Sequence, residues 1–371
     1  MPTALSPSPA PQRLDSLDML RGVAIFMVVA FHVSIPFGLP AALTTVASLG
    51  NAGVQLFFLI SAWTMCHMWV QRQGEPQAAA RFYLRRFFRI APLFWLAMVF
   101  YNGLRAWQTG HLGEVGPLDL VLTALFLHPF SVHAINLAVP GGWSIGVEMC
   151  FYLLFPWLVM RWQTPQARLA LALAAYLVGT AAMVALRPVL DTPQGERFLY
   201  YSLLTQLPVF AVGMALFALL QQPPGQRRAA WRRLLPMLAV WLGLAFAGKA
   251  MGLLTRPFFW LQVFMLAAGL AWTLQRGWAW APLRALGRWS YSIYLFHFFL
   301  LDTVALLWPV AAPRASWHYL PALGMVLALS ALAGWASART LEAWSQGAGR
   351  AAVAWLARRR GPHASVSGPS A

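Results

Sequence analysis

Runs of about twenty mainly apolar residues recur along the chain, separated by short polar segments. About twenty helical residues cross the roughly 30 Å hydrocarbon core of a bilayer. Ten runs have this length: 18–36, 52–70, 88–107, 143–161, 169–187, 199–220, 234–253, 257–275, 286–308 and 318–338. An eleventh run, 117–135, is short and is interrupted by His128, Pro129 and His133. The pattern predicts an all-α, polytopic membrane protein with about ten transmembrane helices.

The composition agrees with this pattern and excludes a soluble protein. Hydrophobic residues make up 60% of the chain and charged residues 10%, whereas soluble domains carry about 25% charged residues. The mean hydropathy is +0.60. Cys66 and Cys150 both lie in predicted spans, and two isolated thiols support neither a disulfide framework nor a metal site.

The net charge of +17 comes from arginines that cluster between the apolar runs. The clusters follow every second run: Arg72, Arg81, Arg85, Arg86 and Arg89; Arg161 and Arg168; Arg227, Arg228, Arg232 and Arg233; Arg276, Arg284 and Arg288; Arg358, Arg359 and Arg360. By the positive-inside rule, all clusters are cytoplasmic if the segment 117–142 does not span but is re-entrant or lies at the outer surface. Both termini are then cytoplasmic. The basic balance therefore indicates topology and contact with anionic membrane lipids, not nucleic acid.

Three regions follow from these patterns. Residues 1–17 are predicted to be a disordered cytoplasmic lead-in, and 18–338 to be the transmembrane domain. Residues 339–371 form a basic cytoplasmic tail, in which Leu341, Trp344 and Trp355 beside basic residues indicate an interfacial helix. From Gly361 the tail is predicted to be disordered. The first run is expected to stay as a membrane anchor, because no small-residue cleavage site follows it.

Two ionisable residues lie inside the first run, Arg21 and His32. Eleven helical residues make roughly three turns, so both side chains share one helix face, roughly 16 Å apart along the axis. Ionisable groups at membrane depth are costly and are usually functional. Arg21 can also pair with Asp18, three residues earlier, as a simple anchor at the membrane edge. His32 is suited to taking a proton from a hydroxyl near neutral pH, or it can satisfy a neighbour's hydrogen bond.

The third and fourth runs add further charged positions. Arg86 and Arg89 lie three residues apart, roughly on one face, and either belong to an ordinary positive-inside cluster or form a guanidinium pair for phosphates. Glu148 lies about one turn into the fourth run, behind Trp143, which fits an interface, and Ser144, which can cap the helix. A structural hydrogen bond between helices is the alternative for Glu148.

The ninth run carries Tyr294 and His297 three residues apart, where they either line a polar route or hydrogen-bond between helices. The predicted topology places Arg21 and the third-run arginines at the cytoplasmic edge. It places His32 and Glu148 towards the outer side. Arginines at the cytoplasmic side and a histidine–carboxylate pair towards the outer side together indicate a polar route across the membrane.

The segments DMLRG with His32, NAGVQLFFLISAW, RRFFRIAP, WSIGVE and SYSIYLFH resemble, as a set and in order, the membrane acyltransferase 3 family of bacteria. This resemblance implies a multi-pass protein of the bacterial inner membrane. It implies O-acyl transfer, commonly of acetyl, from cytoplasmic acyl-CoA to a hydroxyl of a cell-envelope glycan or another exported molecule. His32 then matches the family's essential histidine. Arg21, Arg86 and Arg89 match its arginines, and Trp143, Ser144 and Glu148 match its Trp-Ser-x-x-x-Glu motif.

The chain departs from the family pattern at Gln55, where an aspartate is usual, and at Ser61–Ala62, where Ser-Gly is usual. The resemblance leads to a mechanistic hypothesis. The three arginines hold the CoA phosphates, acyl-CoA being the donor substrate with no permanently bound cofactor. His32 acts as general base, and Glu148 orients or charges its imidazole.

Direct transfer and an acyl-histidine relay both remain open. So do the acceptor, the acyl chain length, the oligomeric state and the need for a separate partner to complete transfer. The main competing function is a proton-coupled secondary transporter, because many spans with buried ionisable residues also suit that activity. A glycolipid-exporting or assembly protein without chemistry is a third.

Overall fold

The computed structural model describes residues 10–39, 41–253, 255–308 and 316–358. Over these ranges the chain forms fifteen α-helices and four short 3-10 turns, and it contains no β-strand. The helices are α1 (Ala10–Phe37), α2 (Ala41–Ser48), α3 (Gly53–Arg72), α4 (Ala78–Thr109), α5 (Pro117–Ala124), α6 (Gly142–Arg161), α7 (Pro165–Leu186), α8 (Pro193–Tyr201), α9 (Leu203–Leu220), α10 (Pro224–Ala250), α11 (Pro257–Arg276), α12 (Ala281–Arg288), α13 (Ser290–Leu307), α14 (Tyr319–Arg339) and α15 (Leu341–Arg358).

In the described part of the chain, ten helical segments are long and apolar enough to cross a membrane. They are Leu14–Phe37, Leu49–Arg72, Ala78–Thr109, Gly142–Arg161, Pro165–Leu186, Pro193–Leu220, Pro224–Ala250, Pro257–Arg276, Ser290–Leu307 and Tyr319–Arg358. Each corresponds to one of the ten apolar runs. The prediction of an all-α fold with about ten spans is confirmed.

Segment 117–142 contains no helix of spanning length. The longest of its helices, α5, has 8 residues and is roughly 12 Å long, less than half the hydrocarbon thickness. The segment joins the end of α4 to the beginning of α6 and packs against both. Buried His128 hydrogen-bonds the Gly142 carbonyl at 3.0 Å, and Asn102 donates to the Ala138 carbonyl at 2.9 Å. Its placement at the outer surface stays a prediction.

Two boundaries differ from the expected ones. Residues 10–17, predicted as disordered, are helical, because Leu17 is buried and Asp15 forms a 2.6 Å ion pair with Arg284 of α12. The ninth run divides at Trp289 into amphipathic α12 and apolar α13. The tail is helical over α15, as its amphipathic pattern predicts, whereas residues 1–9 and 359–371 lie outside the described residues.

A close backbone contact fixes α1 against α12. A Cβ added at Gly287 would lie 1.6 Å from the Asp18 carbonyl oxygen, and one added at Gly22 would lie 1.8 Å from the Leu283 carbonyl oxygen. Neither position therefore accepts a larger residue without separating the helices. Since Arg21 lies between Asp18 and Gly22, this contact determines where its guanidinium enters the bundle.

Stacked aromatic rings join α3, α6 and α9 in the core. The ring of Phe210 lies 4.4 Å from that of Phe58 and 4.1 Å from that of Phe151. Burying such rings contributes more than their area alone, about 0.5–1.5 kcal/mol per pair. The stack holds α3 beside α6, and this arrangement brings Ser61 of α3 to Glu148 of α6.

Candidate active site

A cavity of about 700 Å³ lies among α1, α3, α4, α6 and α13. Its charged lining consists of four residues, Arg21, Arg86, Arg89 and Glu148. The remaining polar lining is hydroxylic, from serine, threonine and tyrosine side chains. The charged residues that the sequence analysis singled out in α1, α4 and α6 therefore line the same cavity. The arrangement suits a polyanion and a reacting group held side by side.

Arg21 is held at one edge of this cavity by two side chains. Its guanidinium forms a 2.7 Å ion pair with Asp18, as their spacing predicts, and donates to Thr64 Oγ1 at 3.1 Å. Thr64 in turn donates to the Ile60 carbonyl at 2.7 Å. These contacts fix the Arg21 side chain and leave it lining the cavity.

Arg86 and Arg89 line the same cavity from α4 but differ in exposure. Arg86 is 7% exposed. Its guanidinium contacts Met68 Sδ at 3.0 Å and lies 5.8 Å and 5.5 Å from the ring centres of Phe82 and Tyr152. Arg89, almost one turn later, is exposed to the cavity. One guanidinium is therefore fixed by aromatic faces, and the other is accessible to a ligand.

Glu148 is tied to two hydroxyl groups that the sequence did not single out. Its Oε1 accepts hydrogen bonds from Ser61 Oγ at 2.5 Å and from Tyr152 Oη at 2.6 Å. Tyr152 follows Glu148 by four residues, so helical spacing indicates this contact. The Ser61 contact depends on how α3 packs against α6, which sequence spacing does not give.

His32 does not border the cavity, and its hydrogen bonds lead to α13 instead. Its Nδ1 lies 2.9 Å from the Val28 carbonyl and 3.3 Å from His297 Nε2. His297 Nδ1 lies 2.7 Å from the Tyr294 carbonyl. The expected contact between His32 and Glu148 is therefore not formed, because His297 and Val28 occupy the imidazole while Ser61 and Tyr152 occupy the carboxyl group.

Tyr294 connects the cavity to this histidine pair. Its Oη donates to the Gly141 carbonyl at 3.0 Å and lies 2.7 Å from Ser144 Oγ, and both side chains line the cavity. The ring centres of Tyr294 and His297 are 5.7 Å apart, and those of His297 and His32 are 5.1 Å apart. Tyr294 therefore lines the cavity, His297 lies next to Tyr294, and His32 lies next to His297.

Two further positions from the sequence analysis make contacts inside the bundle. Trp143 is buried and stacks on Tyr201 with ring centres 4.4 Å apart, which fastens α6 to α8. Gln55 donates to Gln206 Oε1 at 3.2 Å inside the bundle.

His133 and Asp119 pair in the segment before α6. His133 Nδ1 lies 3.0 Å from Asp119. Partial burial raises the pKa of Asp119, but hydrogen bonds from His133 and the Gly116 N–H outweigh it, and the net pKa is below its usual value. Within the described ranges, no cluster of three His, Cys, Asp or Glu side chains could hold a metal ion.

A second cavity of about 660 Å³, the basic opening, adjoins the first cavity, the inner cavity, at the arginine end. Arg86 and Arg89 line both cavities, and Arg72 and Arg85 line the second alone. Glu75 partly neutralises this opening, with its carboxylate 2.5 Å from Arg85 and 4.0 Å from Arg72. The hydrogen bond from Arg85 is the main reason that the pKa of Glu75 is lowered.

A helical bundle with ten membrane-spanning segments, whose cationic cavities meet at Arg86 and Arg89, defines a multi-pass membrane protein with a polar internal site. Comparison with known proteins gives its activity. Residues 14–335 match the acyltransferase domain that defines the acyltransferase 3 family. The chain belongs to this family and is an acyltransferase.

Three relatives are similar to most of the chain. BcsY of Komagataeibacter xylinus, named as a membrane-bound transacylase, is 28% identical over 77% of this chain and 72% of its own length. The exopolysaccharide production protein ExoZ of Rhizobium meliloti is 31% identical over 70% of this chain and 78% of its own. The acyltransferase MdmB of Streptomyces mycarofaciens is 26% identical over 78% of this chain and 79% of its own. No solved structure matches the chain significantly.

Proposed function

We propose that the protein transfers an acyl group, acetyl in the first instance, from cytoplasmic acyl-CoA to a hydroxyl of an exported polysaccharide or membrane-linked glycan. The observation that carries this proposal is the position of Arg86 and Arg89, which line both the basic opening and the inner cavity. A donor with phosphates at one end and a thioester on a thin arm fits such a pair of connected spaces.

The acceptor is proposed from chemistry and from the relatives. A glycan offers the hydroxyl that an acyl ester requires, and ExoZ is named for exopolysaccharide production. The direction of transfer rests on the arginine clusters, which the positive-inside rule assigns to the cytoplasm of a bacterial inner membrane. The donor therefore enters at the arginine end, and the acceptor approaches from the side of His32.

His32 is the proposed general base, and its hydrogen bonds select the tautomer that this role needs. A carbonyl oxygen only accepts hydrogen bonds, so His297 Nδ1 carries a proton donated to Tyr294, and His297 Nε2 is a lone pair when neutral. His32 Nδ1 then carries the proton that it shares between Val28 and His297. His32 Nε2 is consequently left as the basic lone pair.

The transfer proceeds by one of two routes. In direct transfer, the acceptor hydroxyl attacks the thioester carbonyl carbon as its proton passes to His32 Nε2. The carbon–sulfur bond breaks, and the CoA thiolate takes that proton. In the relay, His32 Nε2 attacks the carbonyl first and CoA leaves as its thiolate. The acceptor hydroxyl then displaces the imidazole, and its proton passes through the freed His32 Nε2 to the CoA thiolate. Both routes yield one ester and one free CoA thiol.

The proposed role of Glu148 is to organise the cavity rather than to touch the imidazole. Its carboxyl group holds Ser61 and Tyr152 in place and faces the arginines across the same space. These two hydroxyls are then fixed beside the path of the thioester arm, where a polar group can orient the carbonyl before attack.

The test measures CoA release from acetyl-CoA by the purified protein with an envelope glycan, together with glycan acetylation by mass spectrometry. We expect His32→Ala to insert normally and to abolish both signals. A His32→Ala protein that acylates at the wild-type rate would exclude the proposed base. Uptake of a solute without CoA release would instead support a proton-coupled transporter.

A further inference from the structure

The last helix of the described residues, α15, lies beyond the family match, which ends at residue 335, yet it forms one wall of the basic opening. Gln346, Gly349 and Arg350 of α15 line this cavity opposite Arg72 and Arg85. In the described part of the chain, its lining includes five arginines and no acidic residue. The tail thus adds one cation, Arg350, to a space that is otherwise lined by α3 and α4.

The position of α15 is fixed by contacts to two other helices. Ser345 Oγ donates to the Phe88 carbonyl of α4, and the Glu342 carboxyl group accepts from Ser292 Oγ of α13. A Cβ added at Gly349 would lie 2.8 Å from Phe88 Cβ. The helix is therefore packed closely on α4, and Arg350, next to Gly349, is held at the edge of the opening.

Arg350 also differs from its neighbours in charge balance. Arg72 and Arg85 share the carboxylate of Glu75. No carboxylate among the described residues lies within 4.0 Å of the Arg350 guanidinium. Its side chain is exposed to the opening. An uncompensated guanidinium at a concave basic site is the group that a phosphate dianion would bind.

We infer that α15 completes the donor site and that Arg350 binds the 3′-phosphate of the CoA nucleotide; this rests on the proposed use of acyl-CoA. The order of groups along CoA decides which phosphate is involved. The arm must pass Arg86 and Arg89 to reach the inner cavity, so the diphosphate that joins it to the ribose lies at these two arginines. The 3′-phosphate is farther from the thioester. It therefore lies at the arginines that line the basic opening but not the inner cavity, namely Arg72, Arg85 and Arg350.

The experiment compares CoA with dephospho-CoA, which lacks only the 3′-phosphate. Binding of each is measured by calorimetry to the full-length protein in phosphatidylcholine nanodiscs. We expect the wild type to bind CoA more tightly, and Arg350→Gln to lower this preference about tenfold, which corresponds to about 1.4 kcal/mol. The affinity for dephospho-CoA should not change.

The matched control is Arg358→Gln, which removes the same charge from the same helix roughly 12 Å farther along its axis. Arg358 is exposed and is not among the residues that line either cavity. We expect this variant to keep the wild-type preference for CoA. An equal loss in both variants would show a general charge effect and overturn the specific contact.

Three other results would overturn the inference, and they fail in distinguishable ways. If the wild type binds no CoA and releases none from acetyl-CoA, the proposed donor is wrong as well. If the wild type releases CoA but Arg350→Gln keeps the full preference, only the assignment of Arg350 is wrong. If Arg350→Gln lowers retention of phosphatidylglycerol in mixed nanodiscs and leaves the preference intact, the opening binds a lipid headgroup instead.

Discussion

His297 is expected to act through His32, and three substitutions separate its two ring nitrogens. Glutamine places an acceptor oxygen near the position of Nε2, which receives the His32 proton. Asparagine places its amide near Nδ1, which donates to the Tyr294 carbonyl, but offers nothing at Nε2. Leucine removes both contacts. If the tautomer argument is right, His297→Gln keeps turnover, whereas His297→Asn and His297→Leu lower it.

The magnitude follows from the contact that is lost. His32 Nδ1 shares its proton between Val28 at 2.9 Å and His297 at 3.3 Å, so one of two acceptors disappears. A typical hydrogen bond contributes about 0.5–1.5 kcal/mol net, which corresponds to about 2- to 12-fold in rate. We expect a decrease of about fivefold in kcat, with the KM for acetyl-CoA unchanged because the arginines are untouched.

The assay is steady-state CoA release, with acceptor and donor varied separately, and each variant is repeated in a His32→Ala background. A positioning role for His297 predicts that its substitution has no further effect once His32 is absent. Equal activity of His297→Leu and wild type would refute the reasoning. So would an equal defect in the glutamine and leucine variants, or a change confined to KM.

Three further outcomes are expected elsewhere in the site. Arg86→Lys keeps the charge but loses the two-pronged guanidinium contact to a phosphate, so calorimetry should show CoA binding at least tenfold weaker. The same change at Arg161, which lies outside both cavities, should have no effect. Glu148→Gln keeps an acceptor oxygen for the Ser61 and Tyr152 hydroxyls, whereas Glu148→Leu leaves both without their acceptor. Chemical denaturation in detergent should therefore show the glutamine variant about 2 kcal/mol more stable than the leucine variant. Equal stability would contradict this account. Because the hydrogen bond from Arg85 lowers the folded pKa of Glu75, its stabilisation is present at neutral pH and is lost as pH falls through that pKa. Glu75→Gln should therefore have a lower Tm than wild type at pH 7, and the gap should close in acid.

The spans and the presence of a polar site inside the bundle were predictable from sequence for a physical reason. A charged side chain inside an apolar run needs a polar partner or a polar space, since leaving it in hydrocarbon is costly. This cost predicts polar surroundings for Arg21, Arg86, Arg89 and Glu148. It does not by itself place Glu148 beside the arginines, since the sequence predicted it towards the outer side with His32.

The partners of these groups were less predictable, because they depend on helix packing. Spacing along α1 gives the face of His32 but not the helix opposite it, and that helix proved to be α13 with His297 rather than α6 with Glu148. Ser61 resembles any small polar residue in a span until α3 and α6 are placed together. Arg350 resembles any basic residue of an amphipathic tail until α15 is packed on α4.

The separation of the arginines from the imidazole assigns different tasks to the two parts of the site. Arg21 and His32 are roughly 16 Å apart along one helix, and Tyr294 and His297 lie between the cavity and His32. In the proposed mechanism, phosphate groups held by the arginines cannot themselves approach the base, so the donor's long arm would carry the thioester past Glu148 and Tyr294. Binding energy gained at the charged end then positions the reacting carbon at a distance. On this reasoning, shortening the donor arm should lower kcat more than it weakens binding.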